Sequence, residues 1–537
     1  MTENNEDSTD IAAEVEARIK AEEETLKAVE KKDDLITPAF VRECFDANRL
    51  GDGTLFAALK KGRFICNLSA KDEWLKWSGH YWEIDTYNAR FSEGVEAVVA
   101  KYHDELERVT EEIKKAREAD NKDLVGISEK RRDALKARIK SLRDVGADKC
   151  ITWATRTGDC LGIRGEEFDR NPWLLACKNG VIELRTGRFR PGRPDDYITK
   201  AAPHEWAGTD APAPMFENFL DAVFEGNAEL IGFVQRFFGY GLAGVVTTHA
   251  FAILYGEGGR NGKGTLVETL QYVLGPLAGP IQSEMLLDQK AARSSSGPSP
   301  DIMSLKGLRI ALASETDEGR RFSASKIKWL SGGDMLTGRS PHDKYETRFE
   351  PTHLLCLLTN NLPHAPSEDL AFWDRMHLIP FNVRFVLAPK EPNERLRVEG
   401  LIDKLKDEAP GILAWLVRGC IEWQRQGLNP PDVVKSATAQ YQFREDDLGN
   451  FILDCCEPKE ITTEDSREQY KVVYSAFAHW YENSIGDKKF CPKKKKFSQL
   501  MEKRFKKAAV GGKIWFYGLA LKPEARVMDE QHSWAEE

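Results

Sequence analysis

The residues with the strongest claim to chemistry lie between Gly256 and Thr265, in the run Gly-Glu-Gly-Gly-Arg-Asn-Gly-Lys-Gly-Thr. Glycines at this density let backbone N–H groups curl around phosphate oxygens, and a lysine closing such a loop can reach β and γ phosphates. An apolar run, Phe251 to Tyr255, precedes the loop, and an amphipathic segment, Leu266 to Leu274, follows it. Strand, loop and helix in that order add the positive end of a helix dipole to the same phosphates. The expected nucleotide-binding positions are Gly256, Gly258, Gly259, Arg260, Asn261, Gly262, Lys263, Gly264, Thr265 and Leu266, with Lys263 catalytic. The match to G-x-x-x-x-G-K-[ST] is imperfect. Gly264 stands where a hydroxyl belongs, and Gly256 lies one residue too far from Lys263, so Thr265 is the expected magnesium ligand. A glycine turn that merely precedes a lysine is the bland alternative, against which the flanking strand and helix weigh.

Three later segments could complete such a site. Leu308 to Glu318 is an apolar strand ending in carboxylates. It is expected beside the P-loop strand, with Glu315 orienting metal and attacking water, while Asp317 and Glu318 read as solvated loop acids. Thr352 to Pro363 is a second buried strand ending in amides, where Asn360 could bond the γ-phosphate or the lytic water. A purely structural Asn-Asn-Leu-Pro turn fits that segment equally well. Arg375 stands just ahead of a third strand, and a guanidinium offered across a subunit boundary would stabilise phosphoryl-transfer charge. Alone, an arginine there carries no weight.

Positioning these groups requires an α/β domain, and from Thr248 to Phe385 apolar strands alternate with amphipathic helices as in a mostly parallel sheet. The chain of 537 residues has room for several domains. Residues 1–60 are expected to be an acidic helical or disordered region. Residues 61–245 are expected to form a domain preceding the nucleotide-binding one, with strands around a Ser78-Gly79 turn, a charged helical segment at 90–145, and two strand-like runs with turns at Asn179-Gly180 and Thr186-Gly187. The ATPase domain spans 246–390, a helical segment 391–430, a last domain 431–525, and a tail 526–537. A net charge of −9 excludes a uniformly basic nucleic-acid binder but not a basic channel. Ten cysteines without one C-x-x-C pair suit a reducing cytoplasm rather than a zinc ribbon or a disulfide framework. No leader is expected, since the opening Met-Thr-Glu-Asn-Asn-Glu-Asp has no basic stretch followed by an apolar run, and no membrane span, since the longest uncharged stretch, Phe237 to Tyr255, is broken by three glycines.

Taken in order and spacing, the four segments resemble the superfamily 3 helicases, in particular the phage and plasmid primase-helicase branch with its poxvirus relatives. Similarity extends upstream through Phe168 to Gly187 and Leu230 to Gly244, and downstream to Pro410–Gly419 and Ala437–Tyr441. The resemblance implies a P-loop, AAA+-like ATPase core with a helical and small-β N-terminal domain. It implies Lys263 and Thr265 as Walker A residues, Glu315 as the Walker B acid, Asn360 as sensor, and Arg375 as arginine finger. ATP and magnesium are the implied cofactors. The stretch Lys328 to Lys344 is similar to the DNA-gripping hairpin of the central channel, which makes Arg339, His342 and Lys344 the expected DNA contacts. A homo-oligomer, hexameric by resemblance, would unwind DNA in phage, prophage or plasmid replication in a bacterial host. The 60 or so residues ahead of the resemblance leave no room for a primase, so a separate primase is an expected partner.

Residues 431–525 read as a winged-helix-like domain, helices followed by a short β wing. Lys493, Lys494, Lys495 and Lys496, with Lys503, Arg504, Lys506 and Lys507, would offer duplex DNA a basic face. Two alternatives stay open: a DNA-binding initiator or loader using ATP as an assembly switch, and a P-loop phosphotransferase acting on a small molecule.

Overall fold

The computed structural model describes residues 36–530, apart from 71–72, 145, 157–159, 290–297, 315–317, 342–345, 461–466 and 487–490. Glu315, Asp317, His342 and Lys344 therefore lie outside the described residues.

Folding begins earlier than the charge-rich N-terminus suggests. Thr37 caps a helix from Pro38 to Asp46, its side chain accepting from the Phe40 amide, and a second helix spans Asn48–Lys60. Both are part of the folded body because Val41, Cys44, Leu55 and Phe56 bury completely or nearly so. They pack against an antiparallel helical hairpin, Glu96–Glu118 and Lys122–Leu142, the expected charged segment. Buried polar groups pin this bundle: Arg42 donates to the buried Glu105 carboxylate, and Tyr102 and Arg138 share Asp52. A sheet built on Phe64–Asn67, Glu73–Trp77 and Trp82–Ile84 follows the expected turn at Gly79. Further on, three antiparallel strands rather than two fill residues 174–190.

The central sheet has five parallel strands: β1 (Phe251–Tyr255), β2 (Ala278–Ile281), β3 (Ile310–Ser314), β4 (Leu354–Thr359) and β5 (Met376–Pro380). Their order is β5-β1-β4-β3-β2. One expectation needs correcting here: β3 does not neighbour β1, because β4 lies between them. Leu354, Leu355, Cys356 and Leu357 are all buried, and a strand apolar on both faces is stable in the middle of a parallel sheet.

Helices α1 (Ala228–Ala243), α2 (Lys263–Leu274) and α3 (Ala409–Gln426) share one apolar cluster with this sheet and with residues of the 174–184 strands. The packing therefore crosses the expected boundary at 245 and draws the segment after 391 into the same core. Helices α1 and α3 touch backbone to backbone. A Cβ at Gly239 would sit 2.2 Å from the Cys420 nitrogen, and one at Gly419 2.2 Å from the Gln235 oxygen, so both positions require glycine.

After Pro430 and Pro431 comes a helix, Asp432–Arg444, and then a unit with the order helix (Asp447–Cys455), strand (Arg467–Gln469), helix (Tyr470–Ser484), helix (Lys494–Glu502), hairpin (Lys506–Val510 with Lys513–Tyr517). The first strand pairs with the second arm of the hairpin. A further helix, Pro523–Glu530, reaches into the first residues of the expected tail. Among the described residues no helix is long and apolar enough to cross a membrane, and all ten cysteines are free thiols.

Candidate nucleotide site

The parallel register brings three strand ends to one edge. Thr359 aligns with Tyr255, and Ser314 with Leu358, so the chain leaves β1, β4 and β3 side by side. From β1 it enters the glycine loop, where Gly258, Gly259, Arg260 and Gly262 all take left-handed backbone, with φ of 68°, 72°, 58° and 88°. Helix α2 begins at Lys263, and Gly262 is its N-cap. Glycine is required at 262 twice over, for its φ and because a Cβ would meet Val223 Cγ2 at 2.8 Å. The first-turn amides of α2 leave the helix end without intrahelical acceptors, as first-turn amides do, and so point a positive dipole at the loop.

Lys263 is buried and its ammonium meets three oxygens: Gly256 O at 2.7 Å, Asn261 Oδ1 at 3.1 Å and Asn360 Oδ1 at 2.8 Å. The last contact joins the loop to the end of β4 across 97 residues of sequence. Burial pushes the Lys263 ammonium down to about 8, since its partners are neutral and return only part of the lost hydration. Asn360 itself is exposed on the turn after β4, whose hydroxyl neighbour Thr359 donates to Asn361 O at 2.6 Å.

Two expected loop contacts are placed differently. Leu266 is fully buried and its amide donates to Gly262 O at 3.0 Å, so it packs the helix rather than meeting a ligand. Asn261 turns its side chain beneath the loop, donating to Glu257 O and Val383 O. Gly264 is exposed with open space where a side chain would go, and Thr265 is half-buried one position further on. Among the described residues no group of three or more His, Cys, Asp or Glu could hold a metal ion. Magnesium bound with a triphosphate needs only one or two protein donors, however, and the Thr265 hydroxyl is a hard donor of the right class.

Arg375 sits at the opposite edge of the sheet. Met376 aligns with Phe251, and the Arg375 carbonyl accepts from the Phe251 amide at 2.8 Å. A five-residue strand, about 16 Å long, therefore separates it from its own glycine loop. Its guanidinium donates to Ala371 O and His249 Nδ1. The hairpin expected to grip DNA is present as Leu336–Gly338 paired with Thr347–Phe349, its base fixed where Arg339 and Ser299 exchange hydrogen bonds.

In the last unit Lys493, Lys494, Lys495 and Lys496 are exposed at the start of the helix Lys494–Glu502. Arg504 and Lys503 are not free for a partner. Arg504 donates to Glu368 and Asp446, each at 2.8 Å, and Lys503 pairs with Glu368, so both fasten this unit to the domain of the central sheet. Lys507 pairs with Glu502.

Comparison with known proteins gives these features a setting. Residues 53–225 match the family described as "D5 N terminal like". "Putative helicase L207/L206" of Acanthamoeba polyphaga mimivirus is 28% identical over 353 residues, covering 63% of this chain and 36% of its own length. The protein of the same description, 121R, from Invertebrate iridescent virus 3 is 25% identical over 411 residues, covering 71% of this chain and 43% of its own. The chain thus spans about two fifths of the length of the curated relatives it matches. These are viruses of eukaryotes, so they lend no support to the expected bacterial setting. Among solved structures the apo C-terminal region of NrS-1 aligns over 71% of this chain and 90% of its own, with 13% identity and a TM-score of 0.38.

Proposed function

We propose, from its similarity to the D5 N-terminal-like family and to viral putative helicases, that the chain is a D5-like superfamily 3 relative and an ATP-driven DNA helicase motor acting in replication. The observation that carries the reading is Lys263, presented by a left-handed glycine loop between strand and helix and met there by Asn360. Together they set a cation and a polar amide at the point where a triphosphate would lie against the α2 N-terminus. Asn360 would orient the lytic water or the γ-phosphate. Thr265 and Glu315 would hold magnesium, which on binding neutralises phosphate charge.

Arg375, a strand length away from its own loop, would serve the nucleotide of a neighbouring copy. That position favours an oligomer, hexameric by resemblance, with the triphosphate at each seam. Arg339 with His342 and Lys344 would track one DNA strand through the channel by its phosphates. The last unit reads as a winged helix whose exposed lysines contact duplex DNA, with affinity falling as salt rises. A primase on another chain remains part of this proposal.

Lys263→Ala tests it directly. The variant is expected to lose ATP hydrolysis and strand displacement on forked DNA while still binding that DNA. Displacement that persists at the wild-type rate would sink the motor reading, and ATPase without any displacement in the wild type would favour a loader.

A further inference from the structure

We infer that Asn261 is a positioning residue of the nucleotide site, holding Lys263 in place and fastening the glycine loop to the chain that leaves β5. The inference rests on the nucleotide-binding reading of the loop but gives Asn261 a different task from ligand contact. Its neighbour Arg260 is exposed, as are Gly258 and Glu257, whereas Asn261 is only 5% exposed. Both ends of its carboxamide are engaged. Oδ1 accepts from Lys263 Nζ at 3.1 Å, and Nδ2 donates to Glu257 O and to Val383 O, each at 3.2 Å. A flipped amide would set N–H against the ammonium and oxygen against two carbonyls, so the orientation is fixed by its surroundings.

An ammonium has three N–H donors, and Lys263 meets three oxygens, from Gly256, Asn261 and Asn360. A phosphate oxygen can gain one of those donors only if a partner releases it. Gly256 and Asn261 are buried, and Asn261 is tied by two carbonyls, while Asn360 lies exposed on a turn. Asn360 is thus the exchangeable partner and Asn261 the fixed one, which keeps the ammonium over the loop while Asn360 trades it for phosphate. Backbone ties reinforce the same joint, since the Phe385 amide donates to Arg260 O at 2.8 Å and the Phe381 amide to Tyr255 O at 2.7 Å. The Asn261 tie is made by a side chain, so substitution can remove it.

The test is steady-state ATP hydrolysis by the full chain with magnesium and saturating single-stranded DNA, alongside thermal melts. For Asn261→Ala the KM for ATP is expected to rise roughly tenfold or more, the loss of a buried hydrogen bond to a charged group, with kcat within about threefold of wild type. Asn261→Asp should raise KM further still, because a carboxylate against Lys263 cancels the charge that attracts phosphate. A residue that only fills space gives the reverse order, since aspartate matches its volume better, and gives a lower kcat at unchanged KM as competent molecules are lost. Either that pattern or an unchanged KM overturns the inference.

Asn360→Ala supplies an arm that does not disturb the buried joint. KM is expected to stay within about threefold while kcat falls by roughly a hundredfold, as for a lost water-orienting or charge-stabilising group. A KM rise matching that of Asn261→Ala would overturn the division between fixed and exchangeable partners. Wild-type protein that neither binds nor hydrolyses ATP would instead remove the motor reading itself, a result read before any variant is made.

Discussion

At Lys263 burial and charge oppose one another. The ammonium sits among neutral oxygens and is held down to about 8, close enough to neutrality for pH to matter. The proposed triphosphate would bind the protonated form. Below about 8 the proton is already in place, so affinity should be flat. Above it the free site must recapture a proton on binding, and affinity should weaken by up to about tenfold per pH unit. Titration of the protein with a fluorescent ATP analogue from pH 6.5 to 9.5 checks this, with Lys263→Arg, which stays charged, expected to flatten the alkaline limb. A wild-type affinity constant to pH 9.5 would show that the ammonium is not the group that titrates. The side chains around this lysine also mark the limits of a sequence reading. Glycine density and a lysine before a helix made the loop legible, because backbone chirality restricts what can curl that way. Which way Asn261 points was not legible, because that depends on Val383, brought near by a crossover of 122 residues.

Among the elements, the joint between the upstream strands and the central sheet adds one buried guanidinium to its apolar packing. Arg309, just before β3, is 7% exposed and donates to Pro172 O at 2.7 Å, Ala243 O at 2.6 Å and Leu174 O at 3.4 Å. Burial lowers it to about 10, so it stays charged near neutrality. Arg309→Met keeps the length and removes the donors, leaving three carbonyls, two of them buried, without this partner, and should cost on the order of 3 kcal/mol. The expected signs are a lower midpoint of thermal unfolding and faster proteolysis within 172–200; an unchanged midpoint would count against this joint. Apolar runs made the five strands legible one at a time. Their order was not, since Leu354 to Leu357 would suit any interior position and only the assembled sheet shows β4 standing between β1 and β3. At 38–60, where a helical or a disordered stretch was open, the burial of the two helices was illegible for a related reason. Arginine, aspartate and glycine dilute Val41, Cys44, Leu55 and Phe56, whose shared burial is evident only once the hairpin at 96–142 is packed against them.

For the whole molecule, the separation of Arg375 from Lys263 has a consequence that assembly can test. Each subunit proposed here owns half of two sites. Lys263→Ala and Arg375→Ala proteins should each be inactive alone. Mixed and allowed to reassemble, they should regain a fraction of wild-type ATPase, because some seams then pair an intact lysine with an intact arginine. No recovery, in mixtures shown to have exchanged subunits, would place the arginine outside the reaction. The lysines at 493–496 illustrate the same scale from another side. A basic run was legible as a basic run, but Arg504, equally basic in sequence, is spent on Glu368 and Asp446 in holding the last unit to the central-sheet domain.

Strand β5 begins one residue after Arg375, and the chain that leaves it holds Arg260 and Asn261 through Phe385 and Val383. Five hydrogen-bonded residues make a stiff rod, so in the proposed ring a pull on the guanidinium by a departing phosphate next door would be felt under the loop at home. A circle of such rods would discharge its sites in succession, each event cocking the following one, and would lose that rhythm, though not its appetite for fuel, if the rod were made slack.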